Sequence, residues 1–283
     1  MSGKTHRLKI GDITCIVLQD GFVPYEPTVE VLQNSYPNAT ATEINNALQN
    51  HGYGDVQPTF NMNALFIESA GTRILVDTGM GPTEPPHWGH IPAALQSEGI
   101  GVDDIDVVFI THFHGDHING LLAENGQTMY PNSRYVTAQT EWDHWMDEAT
   151  LAAMGEDRAA DLRRIMEPIK DRFSYANAGD TLAPGVTLVD MAGHTPGHTG
   201  LLIESNGERL LDVVDLLHRP YQLGYPGWHF AFDTDGELAA RNRKAVLARA
   251  ADENLLTLFY HQPFPGLGYV TRHKDGTFSY QPI

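Results

Sequence analysis

Asp106-Val107-Val108-Phe109-Ile110-Thr111-His112-Phe113-His114-Gly115-Asp116-His117 is the stretch on which the reading of this chain turns. Its first half, Asp106 to Thr111, is short, β-branched and aromatic, so it reads as a buried strand that empties into a loop. The second half presents three imidazoles and one carboxylate within six positions. Imidazole suits zinc, iron, copper and nickel, carboxylate oxygen tolerates harder ions, and no cysteine lies nearby. The loop therefore reads as part of a transition-metal site.

Outward from that stretch, short apolar strands alternate with helices. Leu8 to Leu18, Asn63 to Glu68, Arg73 to Val76, Arg134 to Ala138, Val186 to Asp190, Gly200 to Ile203, Arg209 to Val214 and Leu255 to Tyr260 have strand character. Helices are predicted over Ala41 to Gln49, Ile91 to Glu98, Glu141 to Ala153, Glu156 to Arg172 and Glu237 to Ala251. Asp233, Thr234 and Asp235 stand ahead of the last as candidate caps. Residues 20 to 60, rich in Pro, Asn and Gly, read as an irregular insertion that could serve as a lid, a pocket wall or the contact of a homodimer. No low-complexity linker or repeat divides the 283 residues, so one domain is expected.

Three more strand ends carry ligand-type residues. Ala192-Gly193-His194-Thr195-Pro196-Gly197-His198 is a Gly/Pro turn after an apolar strand, Asp215 follows Leu210-Leu211-Asp212-Val213-Val214, and His261 follows Leu255 to Tyr260. Open α/β sheets place functional groups where strands leave the core. Four such ends could converge on one site.

The residues resemble the metallo-β-lactamase superfamily, whose signature is His-x-His-x-Asp-His followed by a distant His, Asp and His. His112, His114, Asp116 and His117 fill the signature, and His194, Asp215 and His261 match the later positions. The resemblance covers residues 60 to 265 and implies an α/β fold, a four-layer αββα sandwich of two sheets between helices. It implies that His112, His114 and His194 hold one metal, that Asp116, His117 and His261 hold a second, and that Asp215 bridges them. Asp77, in Val76-Asp77-Thr78-Gly79, matches a structural acid beneath the site. Family alignment prefers His194 over His198, which is left as a turn residue or a donor behind the ligands, and Asp215 over Asp212. His6, His51 and His273 read as solvated. The cofactors implied are two divalent transition-metal ions, zinc first, with iron, manganese or cobalt accepted by the same donors.

Two adjacent cations lower the pKa of a shared water and polarise a carbonyl or phosphoryl oxygen, so a hydrolase is expected. Asp116 is the candidate proton carrier between the attacking hydroxide and the leaving oxygen. The turn His261 to Gly268 and the segment Asp215-Leu216-Leu217-His218 resemble the branch of methyl-parathion-hydrolase-like enzymes and related lactonases. The resemblance implies a lactonase that opens rings such as N-acyl-homoserine lactones, with organophosphate triesters or aryl esters as the alternative. Phe113, Trp142, Trp145 and His218 are the candidate substrate contacts, although the two tryptophans at helical spacing suit core packing equally well. The best-known acyl-homoserine lactonases carry a tyrosine where His218 stands.

Composition bounds the alternatives. A formal charge of -18 and a pI near 5.0 argue against a polyanionic partner or an anionic membrane surface. A ribonuclease of the superfamily is disfavoured for the same reason. The N-terminus lacks an uninterrupted apolar run, so a cytoplasmic enzyme is expected rather than an exported β-lactamase. The length leaves no room for the extra domain of a flavodiiron oxidoreductase, and a non-catalytic binding member would be expected to have lost ligands. Cys15, alone in the chain and within a strand-like run, reads as a small buried hydrophobe.

Overall fold

Along the central strands, apolar residues alternate between two apolar environments rather than between core and water. Leu65 and Ile67 face one core while Ala64 and Phe66 face another; Ile74 and Val76 oppose Leu75, and Val107 and Phe109 oppose Val108. Strands of this kind must be covered on both faces. On one side, the first set joins Leu188, Leu201, Ile203, Leu210 and Leu258 in a core between two sheets. On the other, Phe66, Leu75 and Val108 pack beneath helices through Leu95, Leu162 and Ile165. Leu211 and Phe259 of the second sheet meet Leu247 and Ala250 of the last long helix in the same way. Four layers, helix, sheet, sheet and helix, follow from that division.

The computed structural model describes residues 3–50, 58–82 and 87–283. One sheet runs in the order β1 (Thr5–Ile10), β2 (Ile13–Pro24), β3 (Thr59–Ser69), β4 (Thr72–Val76), β5 (Val107–Phe109), β6 (Arg134–Thr137) and β7 (Phe173–Tyr175). The other contains β8 (Thr181–Ala183), β9 (Val186–Asp190), β10 (Thr199–Ser205), β11 (Glu208–Asp212), β12 (Leu256–Leu258), β13 (Leu267–Arg272) and β14 (Phe278–Pro282), each beside the next. Strands β4 to β7 are mutually parallel, as are β11 and β12, and their remaining neighbours are antiparallel. The helices are α1 (Val29–Ser35), α2 (Ala41–Asn50), α3 (Ile91–Ser97), α4 (Gly115–Ile118), α5 (Gln139–Trp145), α6 (Glu148–Met154), α7 (Glu156–Met166), α8 (Tyr221–Gly224) and α9 (Gly236–Asp252).

Departures from the sequence reading have local causes. The strand expected over Leu8 to Leu18 is a hairpin, because Gly11, at φ 54°, turns the chain between Ile10 and Ile13. The helix expected over Glu141 to Ala153 is two helices, since Asp147 caps a new start by accepting from Ala149 N and Thr150 N at 3.0 Å each. Of the three candidate caps ahead of α9, Asp235 does the work, accepting from Leu238 N at 2.9 Å. Residues 20 to 60 hold the end of β2 and helices α1 and α2, whose Leu32, Tyr36, Ile44 and Ala47 pack against Tyr221, Trp228 and Phe230. His51 lies outside the described residues, His6 is half-buried and His273 is exposed. Among the described residues no helix is long and apolar enough to cross a membrane.

The core between the sheets holds their strand ends in register. Leu201→Ala, at a fully buried position of that core, is expected to lower unfolding free energy by about 2–5 kcal/mol in a urea titration. A loss below about 1 kcal/mol would mean that the two sheets are not packed through this residue.

Candidate metal centre

Every group named from the strand ends sits at one edge of the sandwich. The chain leaves β4 at Asp77 and β5 at Thr111, and leaves β9, β11 and β12 shortly before His194, Asp215 and His261. His112, His114, His194 and Asp215 present donor atoms within 4.8 Å of one another, and so do Asp116, His117 and His261. Asp215 stands between the two sets. Its Oδ2 lies 3.6 Å from His112 Nε2, 3.4 Å from His194 Nε2 and 3.1 Å from His261 Nε2, while its Oδ1 lies 3.3 Å from His117 Nε2. Asp116 Oδ2 is 3.7 Å from His117 Nε2 and 3.6 Å from His261 Nε2. His114 Nδ1 meets His194 Nε2 at 2.9 Å.

Hydrogen bonds on the outer side determine which ring nitrogen points inward. His117 Nδ1 donates to Asp77 Oδ2 at 2.7 Å, His194 Nδ1 to Asp233 Oδ1 at 2.9 Å, and His261 Nδ1 to the Asn61 carbonyl at 2.7 Å. Thr111 Oγ1 gives its proton to Asp77 at 2.8 Å, so it can only accept from His112 Nδ1 at 3.1 Å. Each of these rings therefore turns an unprotonated Nε2 toward Asp215 when it is neutral, as metal-binding histidines do. Aromatic faces hold the rings from the sides: Tyr260 stacks on His117 at 4.2 Å and Phe60 on His261 at 3.8 Å. The Tyr260 hydroxyl also donates to the Asp116 carbonyl at 2.6 Å.

Local backbone aims the carboxylates. Asp77 is buried at φ 62°, its amide donating to the Phe109 carbonyl at 2.9 Å and its side chain accepting the Thr111 amide at 2.9 Å. It is the acid beneath the site that the resemblance implied, and it binds the β4 end to the β5 end. Val214, just before Asp215, has φ 46°, a conformation costing a β-branched residue on the order of 1–3 kcal/mol. The surrounding packing imposes it and so presents Asp215 to the histidines. His198 lies behind: its Nδ1 donates to the Met191 carbonyl at 2.9 Å and its Nε2 accepts the Asp215 amide at 3.3 Å. Asp212 turns back to accept the Val214 amide at 3.2 Å.

The electrostatics divide the cluster. Burial pushes His112 and His114 well below the usual imidazole range. Burial opposes charge on His117 too, but Asp215, Asp77 and Asp116 together raise it well above that range. His194, equally buried, is raised to about 9 by Asp215 and Asp233. Asp215 is held well below the carboxylate range by His261 and His117 in spite of its burial. Among the described residues, His112 Nε2, His117 Nε2 and Asp215 Oδ1 have no hydrogen-bond partner although buried. Buried polar atoms are rarely left so. A cation shared by unprotonated imidazoles and carboxylates satisfies all three, so the donor set fits two metal ions.

Above the cluster lies a cavity of about 440 Å³ whose floor includes His114, Asp116, His194, Asp215 and His261. Phe60, Phe113, Ile118, Trp145, Met154, Leu162, Ile165, Phe230 and Phe232 give it apolar walls, with Arg158 and Asp161 on α7 as charged members. Of the substrate contacts expected from sequence, Phe113, Trp145 and His218 line it. Trp142 is not among the lining residues; it packs behind Phe113, edge-on at 6.1 Å, and against Phe173 at 4.9 Å, where its helical spacing makes it core. His218 stacks on Phe230 at 3.6 Å with its Nε2 3.3 Å from Asp215. The sequence reading missed Asp233, Asn61 and the aromatic residues Phe60 and Phe230. Asp233 carried a signal, an acid ahead of α9, but one read as a cap; nothing local marks a backbone carbonyl such as that of Asn61.

The fold is shared with known proteins. Residues 58–261 match the model of the metallo-beta-lactamase superfamily. A probable metallo-hydrolase of Mycobacterium tuberculosis is 26% identical over 239 residues, which cover 71% of this chain and 74% of the relative. The structure of AidC, described as a dizinc quorum-quenching lactonase in complex with a product, superposes with a TM-score of 0.87 and 27% identity over 99% of this chain and 98% of that one. The hydrolase AbOPH superposes with a TM-score of 0.85 over 100% of this chain and 98% of its own; at 23% identity that likeness speaks for the fold. Matched through most of its length and folded in the same four layers, this chain belongs to the metallo-beta-lactamase superfamily.

Proposed function

We propose that this chain is a dinuclear metal-dependent hydrolase that opens lactone rings, N-acyl-homoserine lactones among them. The observation that carries the reading is the placement of two donor sets, joined at Asp215, on the floor of a largely apolar cavity. His112, His114 and His194 would hold one ion, Asp116, His117 and His261 the other, and Asp215 both. Zinc is the first candidate, since the donors are imidazole and carboxylate and AidC, at 27% identity, is described as a dizinc lactonase. When bound, the ions supply Lewis-acid chemistry, acidifying water and polarising a carbonyl.

The chain's own residues supply the remainder. The apolar walls accept an acyl chain and exclude water, with Phe113, Leu162 and Ile165 drawn from one hydrophobic cluster and Phe230 from another. His218, buried on the floor with its Nε2 3.3 Å from Asp215 and its Nδ1 without a hydrogen-bond partner among the described residues, is placed to donate to a carbonyl or ring oxygen of the substrate. Asp116 borders the cavity with its side chain one-fifth exposed, so its carboxylate can receive a proton from water and deliver it to the leaving alkoxide. An alkyl alkoxide needs that proton, whereas a nitrophenolate leaves without it.

Elemental analysis of the purified protein should give about two transition-metal ions per chain, and a chelator should abolish turnover. Protein that hydrolyses its substrates free of metal would sink the reading. Against a panel of acyl-homoserine lactones, other γ- and δ-lactones, aryl esters, a phosphotriester and a cephalosporin, kcat/KM should be highest for a lactone; turnover of the phosphotriester alone would refute a lactonase. Asp116→Asn, compared at equal metal content, should slow alkyl lactones by about 10²-fold or more and nitrophenyl esters much less. Equal slowing of both would remove Asp116 from proton transfer.

A further inference from the structure

Behind the metal centre another carboxylate is wholly buried, and the hydrogen bonds it accepts come from outside the metal-type donors. Glu141, in the first turn of α5, is 0% exposed and receives four hydrogen bonds. Its Oε1 accepts the Phe113 amide at 2.8 Å and Trp145 Nε1 at 2.6 Å. Its Oε2 accepts the Thr195 hydroxyl at 2.7 Å and the Gly197 amide at 2.9 Å. Phe113 lies between His112 and His114, and Thr195 follows His194. One side chain thus joins the two loops whose imidazoles form a single donor set, loops that belong to different sheets. The loop at Gly197 is pressed so closely on α5 that a Cβ there would stand 2.4 Å from the Glu141 amide nitrogen.

His114 depends most on this junction. His112, His117, His194 and His261 each have an outward hydrogen bond that orients the ring. Among the described residues, the outer nitrogen of His114 has none. Its ring lies edge-on to Trp145 at 5.8 Å and follows the backbone of Phe113. Both of those supports are held by Glu141 Oε1. We propose that Glu141 is the positioning residue of the His112–His114–His194 metal position: it sets the separation of the two loops and the orientation of His114, and leaves the Asp116–His117–His261 position to its own supports. The proposal rests on the metal-dependent reading above.

Glutamine at this position keeps the shape and reverses half the chemistry. All four partners are donors, so an amide would face two of them with N–H groups. Glu141→Gln should therefore displace the loops without emptying the core. The test is titration of metal-free protein with zinc in competition with a chromophoric chelator. Glu141→Gln should weaken one of two binding steps by about 10–100-fold, the same step that His194→Ala removes, and leave the other at its wild-type affinity. Thr195→Val, which deletes a single contact, should weaken that step in the same direction by less, and it serves if Glu141→Gln does not fold. Wild-type affinity at both steps, or equal weakening of both beside a lowered melting temperature of the metal-free protein, would make Glu141 a general structural residue and overturn the proposal. A wild-type protein that takes up no zinc would overturn the metal reading itself.

Discussion

Asp215 is a carboxylate almost sealed from water, with imidazole nitrogens of His112, His117, His194, His218 and His261 between 3.1 and 3.6 Å from its oxygens. An unpaired charge in such a place costs several kcal/mol, and the neighbours must compensate it. The compensation is uneven: burial drives His112 and His114 toward the neutral form, whereas the neighbouring carboxylates draw His117 and His194 toward the charged form in spite of burial. The cluster is thus arranged for positive charge, not for apolar packing, and the rest of the site restrains groups that would otherwise rearrange. Val214 accepts an unfavourable backbone angle to keep Asp215 there, and His198 holds its amide.

The restraint has two levels. Ring by ring, Asp77, Thr111, Asp233 and the Asn61 carbonyl fix the protonated nitrogen of each histidine, and Tyr260 and Phe60 fix ring planes. Loop by loop, the constraint is the spacing of the two sheets. The first contributes Asp77 and the run from His112 to His117; the second contributes His194, Asp215 and His261. Neither can form the site alone. The core between them is close-packed and so transmits small changes in volume as movements of strand ends. The cavity wall is a composite in the same sense, since Phe230 is backed by α1 and α2 from the N-terminal quarter while Leu162 and Ile165 come from α7.

The sequence was most readable where chemistry and periodicity coincide. Strands β4, β5, β9 and β11 and helices α2, α3 and α9 stand within a few residues of their expected positions, because each has a strong apolar pattern bounded by turn or cap residues. Strands β7 and β8 are three residues long and show no period, and β13 and the edge strand β14 mix polar with apolar residues, so no local signal announced them. The ligand-type residues could be picked out because histidine and aspartate at successive strand ends are rare in a buried context. Trp142 and Trp145 could not be told apart: three residues apart on one helix, one reaches the cavity and the other packs behind Phe113.

By itself, then, the sequence marked most of the longer strands and helices, the family likeness and a set of candidate metal-binding residues, since these depend on residue type and spacing along the chain. Only the tertiary structure decided what each of those residues faces. Glu141 shows the difference. In the sequence it is one acid at the start of an amphipathic helix, a place where acids usually meet solvent and the helix dipole. In the fold its four donors come from Phe113, Trp145, Thr195 and Gly197, drawn from three separated segments. Hydrogen-bond partners brought together by the packing of two sheets leave no mark in the spacing of residues along one strand or helix.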